Sequence, residues 1–272
     1  MPFTPSHAVV ALPFVRTPLV PAAIAVGAMA PDLPLFVRDS PLTYQVTHTN
    51  IAVAVLVSLA LLLVWWALLR PAVRELSPRW LAARLPGEWD ATGREIVATV
   101  RAPRPGARRA VWRSGGVLAI LLALSLVLGV VSHIAWDAFT HDGRWGVSLF
   151  PALGEYWGPL LGYKWLQYGS GVIGVVILTV SAALWMRGRD AATPVDRVLP
   201  AAIRVGWWIS LPIVLVAGWL IGLAVYGPLT AEWTPAHLAY RVLPPASAAW
   251  GVLTLGLCVA VQVLRRRRPA GA

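Results

Sequence analysis

The feature that most constrains the fold is a set of five stretches of about 20 apolar residues, the length that crosses the hydrocarbon core of a bilayer. They recur along the whole chain, so a signal peptide cannot account for them. Hydrophobic residues make up 58% of the chain and charged residues only 13%, too few for the surface of a soluble domain. We therefore predict an all-α, polytopic membrane helix bundle with five spanning helices, at residues 49–69, 115–137, 166–186, 205–226 and 244–264.

The segment before residue 49 is apolar but interrupted by prolines. Pro5 and Pro13 fall in its first part, and Pro31 ends its second part. Neither part reaches the length of a comfortable span. We predict that residues 1–37 form a pair of short helices or a re-entrant segment, with a single tilted span as the alternative.

The basic residues occur as arginine clusters between the apolar stretches. Residues 70–113 contain ten Arg and four acidic residues, residues 187–204 contain four Arg, and residues 265–268 are all Arg. The segments at the opposite ends of the spans contain few bases, which are matched by acids. The positive-inside rule therefore assigns the clusters and the C-terminus to the cytoplasm. It also accounts for the net charge of +11 without a nucleic-acid partner, so the expected partner is the lipid bilayer.

We treat residues 1–272 as a single membrane domain in which residues 70–114 form an Arg-rich cytoplasmic loop. The loop is too long for a simple connector, and its apolar residues fit either an amphipathic helix on the inner leaflet or a solvated loop. Cys258 is the only cysteine, which excludes an internal disulfide and a thiolate metal cluster. The sequence also lacks the Gly-x-Ser-x-Gly and His-Glu-x-x-His motifs of hydrolases.

The most informative polar motif lies at the end of the second apolar stretch. His133 and Asp137 are four residues apart, so on a helix they lie one turn above each other on the same face. His141 continues this stripe, although less well aligned. An imidazole and a carboxylate side by side suit zinc or another divalent cation, such as manganese.

Three further residues reach the same membrane boundary in the predicted topology. His48 begins the first span, so the antiparallel geometry brings it to the end that carries His133, and a hairpin of the two N-terminal helices would bring His7 and Asp32 there as well. Ionisable residues at membrane helices are costly and by default point to function. The set predicts a shared metal or proton site, although each residue alone fits an interfacial or capping role.

Two basic residues are predicted on the same side of the membrane. Arg144 lies in a turn after the second span, and Lys164 lies among aromatic residues before the third. Both could bind the phosphate of an anionic substrate. The alternative is that they anchor the helices at the interface, as Lys, Tyr and Trp commonly do.

These residues resemble a bacterial membrane family, domain of unknown function family 4184. The resemblance covers about the first 190 residues. It rests on the opening Met-Pro-Phe-Thr-Pro-Ser-His, on Gly27 to Asp32, Thr47-His48, Ser132-His133 to Thr140-His141, and Tyr163 to Ser170. More distantly, the order of these motifs is similar to inner-membrane metal-dependent hydrolases and to zinc-dependent phospholipase C. That similarity implies that five residues bind the metal: His7, Asp32, His48, His133 and Asp137. Pro34 and Gln45-Val46 depart from the hydrolase pattern, which puts a second metal and a substrate-binding base in doubt.

Together these features predict a metal-dependent hydrolase of the bacterial inner membrane. Its substrate would be a phospholipid or another lipid-linked phosphoester at the extracytoplasmic face. The metal would lower the pKa of a bound water to about 7, with Asp137 and His141 as catalytic candidates and Arg144 and Lys164 binding substrate. The alternatives are a permease-like transporter with a His/Asp relay, which the apolar span centres disfavour, and a non-catalytic scaffold.

Overall fold

The computed structural model describes residues 4–38, 40–92, 115–191 and 194–267, and most of these residues are helical. They also include a two-stranded antiparallel ribbon, Tyr156–Trp157 paired with Leu160–Leu161. Five of the described helices are long and apolar enough to cross a membrane. These are the spanning helices, first to fifth: Ile51–Leu76, Gly115–Thr140, Gly162–Arg187, Ala201–Tyr226 and Pro235–Arg267.

The outward faces of these helices support a membrane location. Large apolar side chains such as Val172, Leu220 and Val252 are about two-thirds exposed, at 67%, 59% and 69%. A continuous apolar surface of this kind is stable only against lipid or another protein. The prediction of an all-α polytopic bundle is confirmed, and the five helices make the chain a multi-pass membrane protein.

The N-terminal prediction of a pair of short helices is also confirmed. A 3-10 helix covers Thr4–Phe14, and an α-helix covers Pro21–Met29 with Pro21 in its first turn. They contain 11 and 9 residues, fewer than the roughly 20 that a span needs. The short helices Ala30–Asp32, Leu33–Phe36 and Tyr44–Thr49 follow.

The described residues divide into two compact units. The first unit contains residues 4–33, 42–63 and 115–189. Within it, the helix Pro21–Met29 packs directly on the second spanning helix: a Cβ atom added to Gly129 would lie 2.3 Å from the carbonyl oxygen of Ile24. The Ser125 hydroxyl also accepts a hydrogen bond from the Val20 amide, at 2.8 Å. The two backbones therefore touch, as small residues permit between membrane helices.

The second unit contains residues 34–38, 40–41, 64–92, 190–191 and 194–267. Here the first spanning helix passes through a π-helical stretch, Trp65–Leu69, just before Pro71. Pro71 has no amide hydrogen to donate to the carbonyl of Ala67, and the Gln262 side chain donates to that carbonyl instead, at 2.6 Å. The helix contact thus satisfies a backbone group that the proline leaves free.

The first spanning helix continues to Leu76, beyond its predicted end at residue 69. The extension contains charged residues that would be costly in a membrane without partners. Glu75 is fully buried, accepts hydrogen bonds from the amides of Val198 and Leu199 at 3.1 Å each, and pairs with Arg204 at 3.5 Å. The last part of the predicted Arg-rich loop, residues 93–114, lies outside the described residues.

The remaining described elements are short. Arg79–Ala82 is α-helical and Gly87–Asp90 is a 3-10 turn in the second unit. Trp145–Leu149 and the 3-10 turn Pro151–Gly154 precede the ribbon in the first unit. The third spanning helix begins directly after that ribbon.

Candidate functional site

The first compact unit brings together a buried group of two imidazoles and two carboxylates, which we call the His/Asp cluster. Its members are Asp32, His48, His133 and Asp137, each offering one donor atom within 4.8 Å of the others. Asp32 ends the 3-10 turn after the helix Pro21–Met29, and His48 lies in the short helix Tyr44–Thr49. His133 and Asp137 lie one turn apart near the end of the second spanning helix. None of the four is more than 6% exposed.

The spacing of the donor atoms matches that of metal ligands. The Nε2 atoms of His48 and His133 are 3.2 Å apart, and each lies 3.5 Å from Oδ2 of Asp137. The Nε2 atom of His133 is 3.7 Å from Oδ1 of Asp32. In a tetrahedral zinc site with bonds of about 2.0–2.2 Å, neighbouring ligand atoms lie about 3.3–3.6 Å apart. The cluster could therefore hold a divalent ion without large movement.

The hydrogen bonds of the two histidines define which ring nitrogens are free. The Nδ1 atom of His48 lies 2.8 Å from the carbonyl oxygen of Tyr44, and that of His133 lies 2.7 Å from the carbonyl oxygen of Ala28. A carbonyl only accepts, so Nδ1 is the protonated nitrogen of each ring. In the neutral rings both Nε2 lone pairs then face each other. The two lone pairs repel each other unless a cation or a proton lies between them. Metal-bound histidines likewise donate a hydrogen bond from the ring nitrogen that does not bind the metal.

His7 lies beside the cluster. Its Nε2 atom is 3.8 Å from Oδ1 of Asp137, and neither atom has a hydrogen-bond partner among the described residues, although both are buried. Its ring centre is 4.2 Å from that of His133. Burial and, to a smaller extent, the neighbouring His133 lower the pKa of His7 to about 4. A neutral His7 and the second oxygen of Asp137 could therefore extend the ligand set.

Asp32 is held by a residue that precedes His7. The hydroxyl of Thr4 donates to its Oδ2 atom at 2.6 Å, which leaves Oδ1 directed towards His133. Burial raises the pKa of Asp32, while His133 and the Thr4 hydrogen bond oppose this shift. A cation in the cluster would favour the ionised carboxylate in the same way.

His141 connects the cluster to a polar chain on the third spanning helix. Its Nδ1 atom is 3.5 Å from Oδ2 of Asp137, and its Nε2 atom is 3.1 Å from the side-chain amide of Gln167. Lys164 donates to the other end of that amide at 3.0 Å. Burial lowers the pKa of His141, which favours the neutral ring near pH 7.

Tyr44 connects the cluster to Arg144. Its hydroxyl donates to Oδ2 of Asp137 at 3.1 Å, and its ring stacks on His48 with the centres 3.7 Å apart. The Arg144 guanidinium lies 5.6 Å from the centre of the Tyr44 ring. Burial and the nearby carboxylate of Asp137 raise the pKa of Tyr44 above its usual range, so the hydroxyl stays a donor.

The structure thus brings six of the sequence-predicted residues together: His7, Asp32, His48, His133, Asp137 and His141. Arg144 and Lys164 lie one residue further away, behind Tyr44 and Gln167 respectively. Tyr44 and Gln167 were not predicted. In the sequence, Gln167 could be noticed as a single amide side chain in the first turns of an apolar helix. Tyr44 could be noticed because it lies four residues before His48. The roles of all these residues remain predictions.

Comparison with known proteins gives one result. No curated protein and no solved structure matches the chain. A family model described as "Domain of unknown function (DUF4184)" matches residues 1–261, almost the whole length of 272 residues. The chain therefore belongs to this family of unknown function, DUF4184.

Proposed function

We propose that the His/Asp cluster binds a divalent metal ion, zinc in the first instance, and that the protein is a membrane-bound metal-dependent phosphoester hydrolase. The proposal rests on the Nε2 atoms of His48 and His133, which lie 3.2 Å apart and each 3.5 Å from Oδ2 of Asp137. With Nδ1 protonated, each Nε2 atom carries a lone pair directed at the other. Their Nδ1 atoms are bonded to backbone carbonyls, so rotation of the rings cannot relieve the repulsion. A cation does so directly.

The donor set favours zinc. Two imidazoles and two carboxylates supply nitrogen and oxygen ligands without a thiolate, a combination that zinc accepts in four-coordinate sites and that manganese also tolerates. His7 and Oδ1 of Asp137 are the next available donors. They would supply a further ligand to the first ion, or ligands to a second one.

The reaction proposed for this site is hydrolysis of a phosphoester. A zinc ion held by the His/Asp cluster would supply a water that is acidic enough to act as nucleophile near neutral pH. Hydrolysis would form a bond from the water oxygen to phosphorus as the ester P–O bond breaks. His141, adjacent to Asp137 and neutral because of burial, is suited to take the water proton and return it to the leaving alcohol.

The basic residues near the cluster support a phosphate-containing substrate. Lys164 is linked to the cluster through Gln167 and His141, and Arg144 lies over the ring of Tyr44, which is bonded to Asp137. Both are cations that could bind the phosphate oxygens. Asp137, with Tyr44 and four imidazoles around it, is better suited to hold the metal than to act as general base.

The expected location is the bacterial inner membrane, with the site at the extracytoplasmic face and the C-terminus in the cytoplasm. The support is the alternation of arginine clusters along the chain under the positive-inside rule. The substrate would then be a phospholipid or another lipid-linked phosphoester of the outer leaflet.

The direct test is the metal content of the purified full-length protein by elemental analysis, together with turnover of a chromogenic phosphodiester. We expect about one or two equivalents of zinc per chain, with metal and turnover both lost in His133→Ala. His237→Ala is the matched control because His237 is an exposed histidine of the other compact unit, and it should retain both.

Three outcomes would contradict the proposal in whole or in part. Wild-type protein that binds no metal after reconstitution with zinc and manganese would favour a proton relay, in which one imidazole is protonated. Metal that remains bound in His133→Ala would place the ion elsewhere. Metal binding without turnover of any phosphoester would limit the cluster to a structural role.

A further inference from the structure

We propose that a cavity beside the His/Asp cluster binds one acyl chain of a membrane phospholipid, so that the lipid's phosphate lies at the cluster. The cavity has a volume of about 630 Å³ and lies within the first compact unit, in the range of about 300–1,000 Å³ typical of ligand sites. It lies between the N-terminal 3-10 helix and the second and third spanning helices. Its lining includes His7, Val9, Trp136, Gly169, Ile173 and Ile177.

The length of the cavity matches one leaflet of a bilayer. On the third spanning helix its lining extends from Trp165 to Ile177, twelve residue steps or about 18 Å along the helix axis. The hydrocarbon core of a bilayer is about 30 Å thick, so each leaflet contributes about 15 Å of it. On this helix the lining begins at Trp165, two residues before Gln167, whose side chain contacts His141, and it extends into the apolar part of the helix.

The cavity is open towards the surroundings of the helix bundle. Trp165, Ile173 and Ile177 line it and are also 44%, 60% and 42% exposed. In a membrane these surroundings are lipid, so an acyl chain could enter sideways from the bilayer. Its walls are mostly apolar, which fits a hydrocarbon chain better than a sugar, a nucleotide or a peptide.

His7 is the lining residue that adjoins the His/Asp cluster. This residue is 8% exposed, and its Nε2 atom has no hydrogen-bond partner among the described residues and faces Asp137. A lipid whose chain occupies the cavity would therefore have its head group beside the ligand atoms. This head-group assignment rests on the function proposed above, whereas the binding of the chain does not.

Gly169 offers a way to fill the cavity without disturbing the helix packing. A Cβ atom at Gly169 would have no heavy atom within 4 Å, whereas one at Gly174, also in the lining, would lie 2.8 Å from Cβ of Ser6. Gly169→Leu therefore places a side chain in the cavity space. Gly251→Leu is the matched control, since Gly251 is a half-buried helical glycine of the other unit with nothing within 4 Å.

The experiment uses the full-length protein in vesicles of phosphatidylethanolamine and phosphatidylglycerol. A small fraction of the phosphatidylglycerol carries a diazirine near the end of one acyl chain, and labelled peptides are identified by mass spectrometry after irradiation. We expect labelling at Val9 or Val10, which line the cavity and are half-buried, to fall roughly tenfold in Gly169→Leu, the effect of losing about two methylene contacts. Labelling at Leu220, an exposed residue of the fourth spanning helix, is the internal reference and should not change.

The variants separate this inference from the proposed hydrolysis. His133→Ala should be labelled in the cavity as the wild type is, because chain binding does not require the metal. A drop in Gly169→Leu with no metal in the wild type would keep the lipid site and reject the hydrolase. Equal cavity labelling in the wild type and Gly169→Leu, or an equal drop in Gly251→Leu, would overturn the lipid site.

Discussion

At the scale of single residues, main-chain carbonyls orient the two imidazole rings of the cluster. The rings of His48 and His133 are bonded through Nδ1 to the carbonyls of Tyr44 and Ala28, and no side-chain substitution elsewhere removes these acceptors. The carboxylates are held differently, since side-chain hydroxyls donate to Asp32 and Asp137. The contributions of charge and of orientation can therefore be separated by conservative substitutions.

We expect Asp137→Asn to lower the zinc affinity by at least about 100-fold, because it replaces a charged ligand by a neutral amide of the same shape. Tyr44→Phe removes one hydrogen bond to that ligand and should lower the affinity by about 10-fold, as loss of a supporting group does. Competition with a chromogenic chelator measures both constants. Wild-type affinity in Asp137→Asn would exclude Asp137 from the ligand set.

Part of this site could be predicted from the sequence. His133 and Asp137 are four residues apart within one helix, and that spacing alone places them on the same face. The hydrogen bonds of Tyr44 and Gln167 were not predictable, because a tyrosine and a glutamine near the ends of membrane helices usually serve as interfacial residues. Their partners, Asp137 and His141, are distant in sequence and become neighbours only through the tertiary fold.

At the scale of helices, the site depends on one close contact between backbones. The helix Pro21–Met29 leads to Asp32, and the second spanning helix carries His133 and Asp137. Hydropathy predicted both apolar segments, since each is a continuous run of nonpolar residues. It did not predict that they pair, because a single Gly27 opposite a single Gly129 gives no periodic signal.

We expect Gly129→Ala to destabilise the protein by about 1–3 kcal/mol, the usual cost of overpacking, and to reduce its metal content. The new Cβ atom would lie 2.3 Å from the carbonyl oxygen of Ile24, so the two helices must separate and Asp32 moves away from His133. Thermal unfolding in detergent and elemental analysis measure the two effects. Gly206→Ala, at a glycine whose Cβ would meet nothing within 4 Å, should change neither quantity.

At the scale of the whole molecule, the charge distribution predicts which side of the membrane the site faces. The third spanning helix, Gly162–Arg187, separates a segment with balanced charges from one with four arginines at residues 187–204. Insertion of arginine-rich loops across the membrane is disfavoured. His141, Arg144 and Lys164 lie on the balanced side or at its edge, which is why the proposed substrate belongs to the outer leaflet.

This orientation can be tested with single cysteines, because Cys258 is the only native cysteine and is buried. In a Cys258→Ala background, Glu155→Cys and Asp190→Cys place thiols at exposed positions on either side of the third spanning helix. A membrane-impermeant maleimide added to intact cells should label Glu155→Cys at least about tenfold more than Asp190→Cys, since only extracytoplasmic thiols are accessible, and permeabilisation should make the two equal. The reverse pattern would put the cluster at the cytoplasmic face. The substrate would then be sought in the inner leaflet, while the metal site and the lipid cavity would remain as proposed.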